Sequence, residues 1–296
     1  MKACIVSNEF YISHFLMRDV NPDHFDVIFE NQFYVSPKNK TWERFKAFLP
    51  FSAGNHNSVL AFAIEDIILL DQIYREIGKP KVWLWNPISS MTSKNRKLFL
   101  SYVRRKSIEV WTFDRQDVDK YGFIFHNQIH SSSLINNEIK QNNKKRVFFS
   151  GVDKGRLGTL RTIEKKLKTL AVDVYFHVVR EKSKEYNSQE IEITTDKYLS
   201  FDEYLSEVKR SDILVDIAQG DQDGITLRVI EAMFENKKLI TTNLNVKKLK
   251  GYRPENVYLY GYEDRSLEAF ILSPVQPISD IDKKQYTFNH LLEEMF

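Results

Sequence analysis

Short apolar runs alternate with longer amphipathic stretches along most of the chain. In the first half the apolar runs are Lys2–Val6, Phe25–Phe29, Lys81–Pro87 and Glu109–Phe113. Their β-branched and aromatic content predicts strands, and continuous apolar runs suit burial on both faces of a parallel sheet. Between them, helical spacing predicts helices over Tyr11–Asp19, Ser58–Ile77, Ser93–Lys106 and Gln116–Tyr121. Gly78 and Pro80 end the second of these, and Asp114 stands where it would cap the last. The second half repeats the scheme, with strands over Val147–Gly151, Val172–Val179, Ile213–Ile217, Lys238–Thr242 and Asn256–Tyr260. Its helices are expected over Leu157–Thr169, Phe201–Lys209, Thr226–Phe234 and, closing the chain, Asp282–Met295. Ser200 with Glu203 three positions on spells a capping box. Alternating strands and helices predict an α/β fold.

The pattern fades between His126 and Arg146, where serines, asparagines and the basic Lys144-Lys145-Arg146 form a polar linker. A chain of 296 residues is one large domain or two. The linker favours two, bounded at 1–143 and 144–276, with 277–296 as a closing helix returning to the first. A net charge of +3 and the lack of a recognisable module set nucleic acid aside. The single cysteine, Cys4, lies inside the first apolar run and reads as a core residue. With no disulfide possible within the chain and no signal peptide at its start, a cytoplasmic location is expected. Glu65 and Asp66 break the longest apolar runs, so no segment spans a bilayer. The basic stretch SKNRKLFLSYVRRK sets Leu98, Phe99, Tyr102 and Val103 at helical spacing. It suits either an ordinary surface helix or peripheral contact with the inner face of an anionic membrane.

Two strand-to-helix turns carry the chemistry. Gly220-Asp221-Gln222-Asp223-Gly224 precedes a helix whose free N–H groups at Gly224, Ile225 and Thr226 face an anion along the helix dipole. Arg228 adds a forked cation suited to phosphate, and Glu231 an acceptor for sugar hydroxyls. The second turn, Gly151-Val152-Asp153-Lys154-Gly155-Arg156, combines two glycines with two cations. A plain polar turn with a helix cap explains either one alone; two such turns in one domain are harder to dismiss. After the first strand no G-x-G-x-x-G appears, which disfavours a dinucleotide fold. Asn8, Glu9 and His14 are candidates there for acceptor contact or proton transfer, and a solvated polar loop accounts for them equally. His177, alone in an apolar strand, reads as a satisfied core residue.

The segment GDQDGITLRVIEAMFENKKLITTN resembles the donor-binding motif of bacterial glycosyltransferases of the two-domain GT-B class. In the retaining families two acids stand eight positions apart, as Asp223 and Glu231 do, although the usual first glutamate is here an aspartate. Gln222, Gly224, Thr226, Arg228 and Glu231, followed by KLITTN, are similar to a group of surface polysaccharide and lipopolysaccharide-core biosynthesis proteins. TFDRQDVDKYG resembles a segment in the first domain of that group, and GVDKGR the first loop of the donor domain. The resemblance implies two Rossmann-like domains facing a cleft, with the last helix crossing back. It implies a hexosyltransferase that moves sugar from a nucleotide-sugar to a growing cell-surface glycan or lipid-linked acceptor. Gly151, Lys154, Gly155, Arg156, Gly224, Ile225, Thr226 and Arg228 would serve the diphosphate. Asp223, Glu231, Gln222, Tyr198 and Leu199 would serve the sugar, ribose and base, with Glu9 or His14 as a base.

Three rivals remain. Asp221-Gln222-Asp223 also spells the Asp-x-Asp of metal-dependent transferases. No other His, Cys and acid cluster stands at metal-ligand spacing, so neither metal nor cofactor is expected. A nucleotide-sugar epimerase or hydrolase would use the same scaffold, and a non-catalytic sugar-nucleotide-binding partner of another transferase would keep only the binding site.

Overall fold

The structure is a computed structural model, and it describes residues 2–32, 56, 58–131, 144–218 and 224–296. The chain divides into two units, Met1–Ser133 with Thr287–Phe296, and Leu134–Tyr286. The first unit holds a parallel sheet of β1 (Ala3–Ser7), β2 (Phe25–Phe29), β3 (Val59–Phe62), β4 (Pro80–Trp83), β5 (Val110–Thr112) and β6 (Ile124–Phe125). The strand order is β2-β1-β3-β4-β5-β6. Its helices are α1 (Tyr11–Met17), α2 (Ile67–Glu76), α3 (Ser93–Arg105) and α4 (Arg115–Tyr121). Because strand side chains alternate faces, Cys4, Val6, Val59, Ala61, Val82 and Val110 pack under α2 and α3. Ile5, Leu60, Phe62, Trp83 and Trp111 form the core on the other face.

One prediction fails here. Ser58–Ile77 is not a single helix but β3 followed by α2. Val59–Phe62 pairs with β1 on one side and β4 on the other, so all four residues are buried. Pairing on both edges outweighs the helical spacing of an apolar run. The helix starts only where Asp66 caps it, accepting the Ile68 N–H at 2.7 Å. In α3, Phe99, Tyr102 and Val103 turn into the core while the basic residues stay outside. Among the described residues no helix is long and apolar enough to cross a membrane.

The second unit holds β7 (Arg146–Val152), β8 (Asp173–Val179), β9 (Ile213–Asp216), β10 (Lys238–Thr241) and β11 (Val257–Leu259). They form a parallel sheet ordered β11-β10-β9-β7-β8. Around it run α5 (Leu157–Lys168), α6 (Ser188–Glu192), α7 (Phe201–Arg210), α8 (Leu227–Phe234), α9 (Leu267–Leu272) and α10 (Asp280–Lys284). The capping box at Ser200 and Glu203 is present as expected. Each unit is thus a Rossmann-like α/β layer structure.

The closing helix is a second correction. Asp282–Met295 breaks into α10, which stays with the second unit, and α11 (Phe288–Met295), which belongs to the first. Thr287 starts α11 by accepting the His290 N–H at 3.2 Å. Phe288, Leu291, Leu292 and Met295 then bury themselves on the Ile5–Phe62 face. Phe288 meets Phe62 near the carboxyl end of β3, with ring centroids 5.1 Å apart. At its other end the Met295 carbonyl accepts from Lys81 at the start of β4. The helix therefore runs opposite to the strands, as a crossover helix of a parallel sheet does.

Candidate functional site

In the second unit β7 lies between β8 and β9, so the strand order reverses between β7 and β9. A parallel sheet opens a crevice at its carboxyl edge at such a point. Both turns singled out in the sequence leave the sheet there, one after β7 and one after β9.

The first turn is tight. The Arg156 N–H donates to the Asp153 carbonyl at 2.8 Å, with φ of +42° at Lys154 and +78° at Gly155. Two left-handed central residues mark a type I′ turn. Gly155 adopts this freely, whereas Lys154 bears a cost of about 1–2 kcal/mol for its Cβ. Both residues are exposed. Asp153 is wholly buried and accepts from the Leu157 N–H at 2.8 Å, Lys184 Nζ at 2.5 Å and the Tyr186 hydroxyl at 3.0 Å. Burial alone would raise its pKa, but the Lys184, Leu157 and Tyr186 hydrogen bonds outweigh that and hold it below the usual value. Arg156 points inward, its Nε donating to the Asp153 carbonyl at 3.1 Å and its Nη2 to the Val152 carbonyl. Gly151 leaves room for this guanidinium: a Cβ there would stand 3.0 Å from Arg156 Nη2.

At the end of β9, Asp216 is wholly buried. It accepts from the Thr226 hydroxyl at 2.8 Å and the Thr241 hydroxyl at 3.0 Å, with Arg228 Nη1 at 3.6 Å. Thr226 is the N-cap residue of α8, but its hydroxyl is turned to Asp216 and makes no capping hydrogen bond to that helix. The Gly224 carbonyl accepts from Asn243 Nδ2 at 3.0 Å, tying the entry to β10. Ile225 is half-buried.

Arg228, in the first turn of α8, links the ends of β7 and β9. Its Nη2 donates to the Ser150 carbonyl of β7, and its guanidinium stands 4.9 Å from the Phe149 ring centroid. The Arg156 guanidinium stands 5.1 Å from the same ring. Burial first, then the charge of Arg228, lowers the Arg156 pKa to about 10, which still leaves it charged at neutral pH. Two cations thus share one aromatic ring at the sheet crevice, with the buried carboxylates of Asp216 and Asp153 beside them as partial counter-charges.

Glu231 lies nearly one turn beyond Arg228 and is only 2% exposed. Its carboxylate accepts from the Tyr204 hydroxyl. Burial raises it to about 7, against the Tyr204 bond and the charge of Arg228. Tyr204 thus closes this carboxyl off from open space. Tyr198 is 70% exposed, and Leu199 packs partly buried against the core cluster that holds Phe148, Leu214 and Leu239. Gln222 and Asp223 lie outside the described residues, as does Asp221 of the rival metal motif.

In the first unit Glu9 and His14 come together just beyond β1, where the order reverses between β1 and β3. His14 Nε2 lies 3.3 Å from Glu9 Oε2, and its ring stacks on Phe29 at 3.9 Å. Asn8 instead serves the interior, donating to the Ala63 carbonyl at 3.0 Å and accepting from Ser13. His177 is satisfied by Tyr175 and, at 2.8 Å, by the Lys197 carbonyl. The sequence reading passed over Asp216, Tyr204, Lys184 and Tyr186, and gave Asp153 no role of its own. An acid set inside the apolar run Ile213–Ile217 was a signal for Asp216; the tyrosines and Lys184 arrive by tertiary contact and left none.

No protein-family model matches the chain, and no curated protein matches it. Among solved structures it is similar to a candidate UDP-N-acetylglucosamine 2-epimerase from Listeria monocytogenes, at 10% identity and a TM-score of 0.46, over 88% of this chain and 84% of that one. It is also similar to TarM, at 15% identity and a TM-score of 0.46, over 80% of this chain but only 53% of TarM. The glycosyltransferase of kitacinnamycin matches at 8% identity and a TM-score of 0.45, over 99% of this chain and 94% of that one. Likenesses at these scores do not bear on activity.

Proposed function

We propose that the chain is a GT-B glycosyltransferase that binds a nucleotide-sugar in its second unit and passes the sugar to a growing cell-surface glycan, such as lipopolysaccharide, capsule or exopolysaccharide. The observation that supports this best is the convergence of Arg156, at the start of α5, and Arg228, in the first turn of α8, on Phe149 where the strand order reverses. A diphosphate is the ligand class such a site suits, through two guanidinium groups, the exposed Lys154–Gly155 turn and a helix start whose N-cap hydroxyl is turned to Asp216.

As the glycosidic bond breaks, negative charge gathers on the leaving nucleoside diphosphate. Cations and N–H groups already fixed there stabilise the transition state more than the ground state. In this reading the exposed Lys154 and the α8 amides contact the phosphates. Arg156, committed to the carbonyls of its own turn, is a positioning residue that keeps Lys154 in its left-handed conformation. Arg228 does both. Glu231 takes the ribose hydroxyls once a donor displaces the Tyr204 hydroxyl, and Asp223 the sugar. In the first unit Glu9 orients His14, whose imidazole is the better candidate for a base toward the acceptor hydroxyl. Transfer needs no metal, and the basic α3 offers peripheral contact with an anionic membrane.

The test is turnover of a panel of sugar nucleotides with and without glycan acceptors. Nucleoside diphosphate released mainly in the presence of an acceptor, and undiminished by chelator, is the expected result. Donor consumed equally well without acceptor would make the chain an epimerase or hydrolase. Binding without turnover would leave it a non-catalytic partner. Transfer abolished by chelator and restored by manganese would overturn the metal-independent mechanism.

A further inference from the structure

We infer that His126, His290 and Glu294 form a zinc site that fastens the last helix to the sheet of the first unit. His126 follows β6, whereas His290 and Glu294 stand four residues apart on one face of α11. Folding brings together what the sequence keeps 164 residues apart. His126 Nε2 lies 3.2 Å from His290 Nδ1 and 3.8 Å from Glu294 Oε2, and His290 Nδ1 lies 3.8 Å from Glu294 Oε1. A tetrahedral ion with bonds of about 2.0–2.1 Å needs ligand atoms roughly 3.3 Å apart. The three edges fit that figure after a small rotation of the carboxylate.

The protonation pattern also fits. His126 Nδ1 lies 2.7 Å from the Asn127 carbonyl, which can only accept, so Nδ1 carries the proton. In the neutral ring the lone pair is then on Nε2, the atom that faces His290 and Glu294. A metal-ligating histidine is ordinarily held in this way, its other N–H on a carbonyl. Around His126 stands the Trp83 ring, edge-on at 5.8 Å, which adds no competing charge. His290 and Glu294 side chains are 23% and 45% exposed, so the site has an open mouth through which an ion enters and a water completes its coordination. Two imidazoles and one carboxylate select zinc over magnesium or calcium, which prefer oxygen. This site supports the fold of the first unit and takes no part in the transfer chemistry.

The protein, stripped of metal by chelator and freed of it, is titrated with zinc chloride by calorimetry and thermal melting. One zinc per chain is expected, with a melting temperature raised by roughly 5 °C at a hundredfold excess over Kd. Cobalt should give the ligand-field absorption of a tetrahedral site. His126 is buried, so its replacement would also disturb packing; the partly exposed residues are changed instead. His290→Asn and Glu294→Gln should each melt near wild type without metal but lose zinc affinity by about tenfold or more. No zinc uptake by wild type would overturn the inference. So would uptake unchanged in both variants, which marks adventitious surface sites.

Discussion

Glu231 shows how one buried carboxyl links stability to pH. Its folded pKa of about 7 lies above the ordinary 4.5. Between those values the folded chain keeps a proton that the unfolded chain releases. Its contribution to stability is therefore full below about pH 4.5 and is lost as the pH climbs through about 7. Glu231→Gln keeps the shape and cannot titrate. Denaturant melts from about pH 4 to about pH 8 should show wild type losing up to about 3 kcal/mol relative to this variant. Parallel curves would mean the carboxyl is not proton-linked to folding. At this scale the spacing of Arg228 and Glu231 was legible in the sequence, because one helix fixes both. Tyr204 was not, since its hydroxyl arrives from a separate helix 27 positions away. Nor could the sequence disclose that Arg156 would turn inward while its neighbour Lys154 stayed exposed.

Among the elements, α11 has the clearest role. It is a short helix at the chain's end, yet Phe288 and Leu291 are completely buried. Phe288 fills the contact with Phe62, so Phe288→Ala should cost about 3–5 kcal/mol, read from denaturant unfolding of the full chain. A loss below about 1 kcal/mol would show that α11 is not part of the first unit's core. Elements with an explicit cap were legible: Asp114 and Ser200 start helices where their side chains reach the N–H groups ahead of them. The run from Ser58 was misread because an apolar strand buried on both faces and an apolar helix have the same composition. Only its partners β1 and β4, both distant in sequence, decide between them. The break between α10 and α11 was missed for a related reason, since Thr287 is a cap only once the His290 N–H follows it.

Across the whole molecule, alternation of strands and helices predicted an α/β fold, while the division into two Rossmann-like domains came from the polar linker and the family resemblance. The strand orders, which place each sheet's reversal, are not written in any local pattern. Those orders are what give the candidate residues their meaning. The Glu9–His14 pair follows β1 at one reversal, and Arg156 and Arg228, at the starts of α5 and α8, meet on Phe149 at the other. On the proposed reading the second unit grips a diphosphate where its strand order reverses, with the exposed Lys154 among the contacts. Lys154→Gly tests it cleanly, because glycine tolerates the +42° φ and relieves strain while the charge is removed. Calorimetric titration of wild type and this variant with a panel of nucleoside diphosphates is the deciding measurement. The account predicts that at least one binds wild type and binds Lys154→Gly about tenfold more weakly, with the variant melting no lower. No binding by wild type, or equal binding by the two proteins, would contradict it.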